Sequence, residues 1–188
     1  QSYATPVVVT ENGQQTIVVL GADHVTAHSA ADGHEIWRLS GMNPNNDKYF
    51  RSIASAAVAD GIVVAPYSRG GTLTAIRMGG QGDISKSHVI WSNEGTSADV
   101  PTPAICNGRI YVCRDGGENR GVVDCLDLRT GKTIWSGQLK KNRHTFRSSP
   151  VVADGRVYLT RQDGTVFVVD AQSDSFSVLA ENTIADEH

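Results

Sequence analysis

The sequence predicts an all-β fold made of four repeated units, each with four short strands, and three observations support this prediction. A short apolar phrase that ends in Asp-Gly or Asn-Gly recurs along the 188 residues at spacings of 47 to 50. Ile-Trp pairs recur late in three of the units. No window of about 12 residues shows the apolar periodicity of a helix, and 19 glycines interrupt the chain.

The apolar phrase predicts a tight hairpin at the start of each unit. Its clearest copies read SPVVADG at 149–155, SAAVADG at 55–61 and TPAICNG at 102–108, with a looser TPVVV at 5–9. Asn or Asp followed by Gly suits a two-residue type I′ turn, because both central residues need a positive φ. The expected turn pairs are Asp60-Gly61, Asn107-Gly108 and Asp154-Gly155, with a broader turn at 11–15 in the first unit.

Two further apolar runs complete each unit. The third runs lie at 25–30, 73–78, 122–128 and 166–171, and the fourth runs contain the Ile-Trp pairs at 36–37, 90–91 and 134–135. In the last unit, alignment of Asp170 with Asp127 places Val178 at the tryptophan position. The expected units are about 3–41, 52–95, 99–139 and 146–180 of a single domain, 1–188.

Four-stranded units that repeat with a fixed aromatic residue are typical of β-propeller blades. A small sheet cannot shield both of its apolar faces, so neighbouring blades must stack. A large aromatic residue on the outer strand can fill the wedge between them, and its burial contributes at most about 4–6 kcal/mol. The residues expected to pack between blades are Trp37, Trp91, Trp135 and Val178, with Ile36, Ile90 and Ile134 beside them.

These residues resemble the PQQ-like propeller repeat of the quinoprotein alcohol dehydrogenase-like superfamily. The third unit matches through CLDLRTGKTIW at 125–135, the fourth through 163–171 and the first through 31–37, whereas the second is degenerate around 78–86. The resemblance implies rings of seven or eight blades. We therefore expect half of an eight-bladed ring; the alternative is that two chains pair to complete one ring.

Composition excludes several other classes of protein. A net charge of −3 lacks the basic excess of a general nucleic-acid binder, and no apolar run approaches the roughly 20 residues of a membrane-spanning helix. Three cysteines cannot all pair, so a disulfide-stapled scaffold is excluded. We expect Cys106, Cys113 and Cys125 to act as small apolar side chains, although Cys113 and Cys125 fall on neighbouring predicted strands.

Candidate binding residues lie on two long polar connections between units, at 40–51 and 140–147. Each contains a Phe-Arg pair, and a cation beside an aromatic ring near a propeller axis could hold an anion or a carboxylate of a partner. The alternative is that the aromatic residue plugs the blade and the arginine is solvated. The candidates are Tyr49, Arg51, Arg143, His144 and Arg147.

The sequence shows no catalytic motif and no metal site. His24 and His28 would stand roughly 13 Å apart on a strand, and Asp23, Asp115 and Asp163 occupy turn positions where Asp bonds its own backbone.

Three functional hypotheses follow, and no cofactor is evident from the residues. The favoured one is a non-catalytic binding scaffold, similar to the propellers of outer-membrane barrel-assembly lipoproteins. Its partner would be a protein, or further blades of the same propeller, with self-association through open blade faces. The second is part of a dehydrogenase that needs PQQ and Ca²⁺, and the third is a carbohydrate-binding propeller with Tyr49 and Tyr67 as the platform. The resemblance alone implies a periplasmic or other extracytoplasmic location.

Overall fold

The computed structural model describes residues 2–11, 13–43, 45–67 and 71–184. Within these residues the chain forms seventeen strands and one 3₁₀ turn, Gly117–Asn119. Sixteen of these strands build four antiparallel sheets of four strands each, and the remaining strand adds to the first sheet, so the predicted all-β propeller fold is confirmed. The four blades form an open series and not a closed ring.

Each blade is a meander of four consecutive strands, except that a two-residue strand precedes the last strand of the second blade. Blade 1 contains β1 Val7–Glu11, β2 Gln14–Leu20, β3 Val25–Ser29 and β4 Glu35–Leu39, and blade 2 contains β5 Ala57–Ala59, β6 Ile62–Tyr67, β7 Thr72–Arg77 and β9 Val89–Glu94. Blade 3 contains β10 Ala104–Cys106, β11 Arg109–Cys113, β12 Val122–Asp127 and β13 Thr133–Gln138, and blade 4 contains β14 Val151–Ala153, β15 Arg156–Thr160, β16 Thr165–Asp170 and β17 Val178–Thr183. The short β8, Gly82–Asp83, pairs with β4 in parallel and so ties the degenerate part of blade 2 to blade 1.

The hairpin turns have the backbone geometry that their sequence favours. Asp60, Asn107 and Asp154 have φ values of 51°, 50° and 48°, and the glycine after each also has a positive φ. Two consecutive left-handed residues are what a type I′ turn requires. In blade 1, Gly13 has a φ of 76°, and Asn12 lies outside the described residues.

A row of hydroxyl groups joins the blades at their inner edge. The backbone N–H of Thr5 donates to Oγ of Ser55 at 2.8 Å, Ser55 donates to Oγ1 of Thr102 at 2.9 Å, and Thr102 donates to Oγ of Ser149 at 3.0 Å. All four residues hold the first position of the repeated apolar phrase. At Ser55, Thr102 and Ser149 the hydroxyl therefore satisfies a backbone N–H group of the preceding blade, which explains the Ser or Thr at this position in those three units.

The tryptophans pack against the next blade along the chain. Trp37 and Trp135 are 2% and 6% exposed, and Trp91 is half-buried. Nε1 of Trp91 donates to the carbonyl oxygen of Leu128 in blade 3 at 3.0 Å, and Nε1 of Trp135 donates to Ser173 in blade 4 at 3.1 Å. Each of these two indoles therefore provides both apolar contact and a directional hydrogen bond.

The expectation for Val178 is wrong. Trp135 pairs with Cys125, and the equivalent pair in blade 4 joins Val168 to Ala180, so the tryptophan position belongs to Ala180. Val178 pairs with Val169 and is 43% exposed. The alignment failed because the connection between the last two strands of blade 4 is two residues longer than its counterpart in blade 3.

The cysteines are free, and the strand register explains why two of them do not meet. Cys113 pairs with Val123 and Cys125 pairs with Tyr111, so the two sulfur-bearing positions are offset along the strands. Burial raises the pKa of both thiols, that of Cys125 to about 11. Cys106 is half-buried.

We expect a thiol reagent at pH 8 to modify only Cys106 rapidly in the folded protein. Cys113 and Cys125 should react after unfolding, because their thiols are buried and protonated at that pH. The time course of reagent release measures this directly, and Cys106→Ser should remove the fast phase. Rapid reaction of all three thiols would contradict the packing described.

A matched pair of glycine substitutions tests the contact between Trp91 and blade 3. Gly131 and Gly33 hold the same turn position in blades 3 and 1, with φ values of 69° and 77°. A Cβ on Gly131 would lie 2.5 Å from Cδ2 of Trp91, whereas a Cβ on Gly33 would meet no described atom within 4 Å. Gly33→Ala should lower the free energy of unfolding by about 1 kcal/mol through backbone strain alone.

Gly131→Ala should cost about 1–3 kcal/mol more, because the ring of Trp91 must move. Urea unfolding of the two variants gives the difference. Equal losses of stability would mean that the indole does not press on this turn.

Candidate functional site

The candidate site lies on the side of the blades where the long connections run. Strands alternate in direction, so the connections that follow the second and fourth strands of every blade share one side. We define the loop face as residues 40–56, 95–103, 114–121 and 139–150, among the described residues.

A chain of hydrogen bonds crosses the loop face from the connection before blade 2 to the connection before blade 4. Nη2 of Arg51 donates to Oδ2 of Asp99 at 2.8 Å. The carboxylate of Asp115 accepts the backbone N–H groups of Asp99 at 2.9 Å and Val100 at 3.1 Å. Oγ1 of Thr145 then donates to the carbonyl oxygen of Asp115 at 2.7 Å. All four segments of the loop face are thus fixed to one another.

The charge of Arg51 is paired with a carboxylate of the same chain. Its ion pair with Asp99 raises the pKa of the guanidinium, since the hydrogen bond and the nearby carboxylate both favour the charged form. The preceding residue, Phe50, stacks on Tyr67 with ring centroids 6.2 Å apart. Arg51 is therefore a residue that positions the loop face, and it does not present an uncompensated charge to an anion.

The second Phe-Arg pair consists of a buried ring and an outward cation. Phe146 is buried and packs on Phe167, with ring centroids 5.9 Å apart. Arg147 is exposed. In both pairs the aromatic ring packs on the blade, but only Arg147 is exposed to solvent as that alternative expected, since Arg51 pairs with Asp99.

A basic cleft lies at the edge of the loop face, between the 3₁₀ turn and the connection to blade 4. Its volume is about 320 Å³. Arg120, Lys141 and Arg143 line it together with the carboxylate of Glu118, so positive charge is in excess. The remaining lining residues are Gly117 and Asn142.

Hydrogen bonds hold the two walls of the basic cleft together. Nη1 of Arg120 donates a hydrogen bond to the carbonyl oxygen of Arg143. The carbonyl oxygen of Arg120 in turn accepts a hydrogen bond from Nε2 of Gln138 at 3.0 Å. Nε of Arg143 donates to Nε2 of His144 at 3.1 Å. These bonds bring Arg143 and His144, both expected from the sequence, beside Arg120, which the sequence reading missed. The sequence did offer a signal for Arg120: basic residues stand on two connections of the same blade, and both connections lie on the same side of that blade.

Buried ion pairs anchor the loops beneath the basic cleft. Nε of Arg114 donates to Oδ2 of the buried Asp124 at 2.6 Å. Nη1 of Arg161 donates to the carbonyl oxygen of Lys140 at 3.0 Å, at the start of the connection. The same guanidinium holds the pKa of Asp163 well below its usual range. Asp163 also accepts the N–H of Thr165, so it does stabilise its own turn, whereas Asp115 bonds to another loop.

Among the described residues, no group of three or more His, Cys, Asp or Glu side chains is placed to hold a metal ion. His28 bonds locally, with Nε2 3.0 Å from Oγ1 of Thr26. No described helix has the length and apolar character needed to cross a membrane.

The two tyrosines proposed as a carbohydrate platform are not equivalent. Tyr67 is 3% exposed, and burial raises the pKa of its hydroxyl. Tyr49 is 73% exposed, with Nζ of Lys48 5.8 Å from the centre of its ring. A flat sugar-stacking surface built from both rings is therefore absent from the described part of the chain.

Comparison with solved structures places these blades among known propellers. BamB from Moraxella catarrhalis superposes with a TM-score of 0.64 at 15% identity, over 95% of this chain and 53% of that chain. A europium-containing methanol dehydrogenase gives 0.65 at 12% identity, over 96% and 41%. The computationally designed Ika4 protein gives 0.60 at 14% identity, over 88% and 90%. At these sequence identities the similarity shows a shared fold alone.

The chain therefore spans about half the length of BamB and less than half the length of the methanol dehydrogenase. A search of curated protein sequences finds no match. The family model described as outer membrane protein assembly factor BamB matches residues 3–176. Because that match covers nearly the whole chain, the protein belongs to this family of PQQ-like propellers.

Proposed function

We propose that the chain is a non-catalytic scaffold whose loop face binds a partner protein, with the basic cleft receiving an acidic segment of that partner. The observation that carries the proposal is the convergence of Arg120, Lys141 and Arg143 on one cleft that has a single opposing carboxylate. Guanidinium and ammonium groups in this arrangement favour carboxylate ligands.

The local charge contrasts with that of the whole chain. The net charge is −3, yet the basic cleft has an excess of cations. A local positive potential on an acidic protein steers an acidic partner to one place and disfavours other orientations.

The cleft is also held in place before a partner arrives. The bonds from Arg120 to Arg143, from Thr145 to Asp115 and from Arg161 to Lys140 fix both of its walls. Binding to preformed loops avoids the entropic cost of ordering them. This arrangement suits a docking surface.

Three further side chains on the connections extend the proposed surface. Tyr49 and Arg147 are exposed and His144 is half-buried, and aromatic residues and Arg are enriched at protein interfaces. The family description concerns outer membrane protein assembly, which favours a partner in the cell envelope and an extracytoplasmic location for this chain.

Reversal of charge in the cleft should weaken binding of an acidic probe. We expect Lys141→Glu with Arg143→Glu to reduce the affinity for a labelled oligoglutamate peptide at least tenfold, about 1.4 kcal/mol, because two carboxylates then face the ligand. Fluorescence anisotropy at low and at physiological salt measures the change.

The matched control is Lys86→Glu with Lys132→Glu. These lysines are exposed and lie outside the cleft, and the change in net charge is the same. The control should keep its affinity within about twofold. Equal weakening by both pairs would show general electrostatic attraction and no site. Reduction of a redox dye by the protein with PQQ, Ca²⁺ and an alcohol would contradict the non-catalytic part of the proposal.

A further inference from the structure

A second cleft lies on the side of the blades opposite to the loop face, where the connections after the first and third strands run. Its volume is about 480 Å³, which falls within the usual range for small-molecule sites. Residues 11, 60–62, 77, 78, 90 and 129 line it, so blades 1, 2 and 3 all contribute. We call these residues and the space between them the turn cleft.

The charged groups of the turn cleft are sorted by their distance from the inner edge of the blades. Glu11 ends β1 and Asp60 follows β5, so both carboxylates lie at turns between first and second strands. Arg77 ends β7 and Arg129 lies just beyond β12, so both guanidinium groups lie at the ends of third strands. The cleft therefore has an acidic inner end and a basic outer end.

These opposite charges do not neutralise one another. Within the described residues, none of the four side chains forms an ion pair, although ion pairs close elsewhere in the chain at 2.6 to 3.2 Å. A ligand that carries both signs of charge can therefore pair with groups at both ends of the cleft.

Blade 2 departs from the repeat where the acidic end is built. In blade 4, Nη1 of Arg156 donates to Oδ2 of Asp154 at 2.8 Å, within the hairpin turn. Asp60 holds the position of Asp154 in blade 2, but Ile62 holds the position of Arg156. Ile62 is buried, so an apolar wall replaces the cation. The carboxylate of Asp60 thus lacks the local partner that the repeat supplies in blade 4.

A second departure builds the basic end. In blades 1, 3 and 4, Ser29, Asp127 or Asp170 ends the third strand and accepts the backbone N–H two residues later, at 2.8 to 3.2 Å. Arg77 holds the matching ladder position in blade 2. An arginine side chain has no acceptor, so this turn gives up that hydrogen bond and the cleft gains a cation.

Apolar side chains separate the two charged ends. Ile62 is buried, and Met78 and Ile90 are half-buried. The inner and outer turns stand one to two strand spacings apart, roughly 5–10 Å, and the ammonium and carboxylate of an extended dipeptide span roughly 7 Å. A dipeptide thus has the length to bridge the two ends, with a side chain on the apolar surface between them.

We infer that the turn cleft binds a short zwitterionic peptide with a free amino terminus and a free carboxyl terminus. The ammonium group pairs with Glu11 and Asp60, and the carboxylate pairs with Arg77 and Arg129. An apolar side chain of the peptide packs on Met78. The turn cleft lies on the opposite side of the blades from the basic cleft, so this inference does not rest on the proposed function.

Three related ligands test whether both charges are recognised. The dipeptide Ala-Leu, added to the unaltered chain, should shift the backbone amide resonances of Gly61, Met78 and Ile90 in a saturable way. N-acetyl-Ala-Leu lacks the ammonium group and Ala-Leu-amide lacks the carboxylate, so each should bind at least tenfold more weakly. Equal binding of the three ligands, or shifts spread over all blades, would contradict the inference.

Charge-removing variants test which residues provide the two ends. Arg77→Gln with Arg129→Gln should weaken binding of Ala-Leu at least tenfold. The matched control, Lys86→Gln with Lys132→Gln, removes the same charge from exposed residues outside the turn cleft and should stay within twofold. Glu11→Gln should weaken binding of Ala-Leu but not of N-acetyl-Ala-Leu, because the lost carboxylate and the lost ammonium group are partners.

One further variant separates binding from folding. Arg77→Asp places the residue of blades 3 and 4 at the end of the third strand of blade 2, so it should keep the urea midpoint of the unaltered chain. Binding of Ala-Leu should nevertheless be lost, because a carboxylate then faces the carboxylate of the ligand. Unchanged affinity in this variant, or in the double arginine variant, would overturn the inference.

Discussion

Contact between the outer strand of one blade and the turn of the next is the constraint on which the rest of the structure depends. A single four-stranded blade has two apolar faces and cannot bury both. Trp91 and Trp135 each reach the following blade and end in a hydrogen bond to its backbone. The hydroxyl row at Ser55, Thr102 and Ser149 fixes the opposite, inner edge. Together these contacts set the position of each blade relative to its neighbour, and so the position of every loop above it.

The loops of the loop face hold fixed positions because the blades that carry them are packed against one another. Asp115 follows the second strand of blade 3 and reaches the connection that enters the same blade, while Thr145 belongs to the next connection. These bonds join the connections that enter blades 3 and 4 to one loop of blade 3. The basic cleft depends on the same loops, since Arg120 and Arg143 come from two different connections. Function in such a chain resides in loops that a repetitive scaffold holds in place.

The repeat made the fold readable from the sequence, whereas the candidate site was readable only in part. The Asp-Gly and Asn-Gly turns predicted the hairpins because their geometry is local. Val178 was misplaced because a two-residue insertion shifts a strand without disturbing the pattern before it. The role of Asp115, the ion pair of Arg51 and the contribution of Arg120 all depend on contacts between loops distant in sequence. No local pattern specifies such contacts, so the structure was needed to find them.

A double-mutant cycle on Trp91 and Gly131 tests most directly whether the indole holds one blade against the next. The free energy of unfolding is measured for the unaltered chain, Trp91→Ala, Gly131→Ala and the double variant. If the ring rests on this turn, its removal relieves the clash, so Gly131→Ala should cost at least about 1 kcal/mol less in the Trp91→Ala background. Additive losses would show that the two residues do not interact, and would contradict the account.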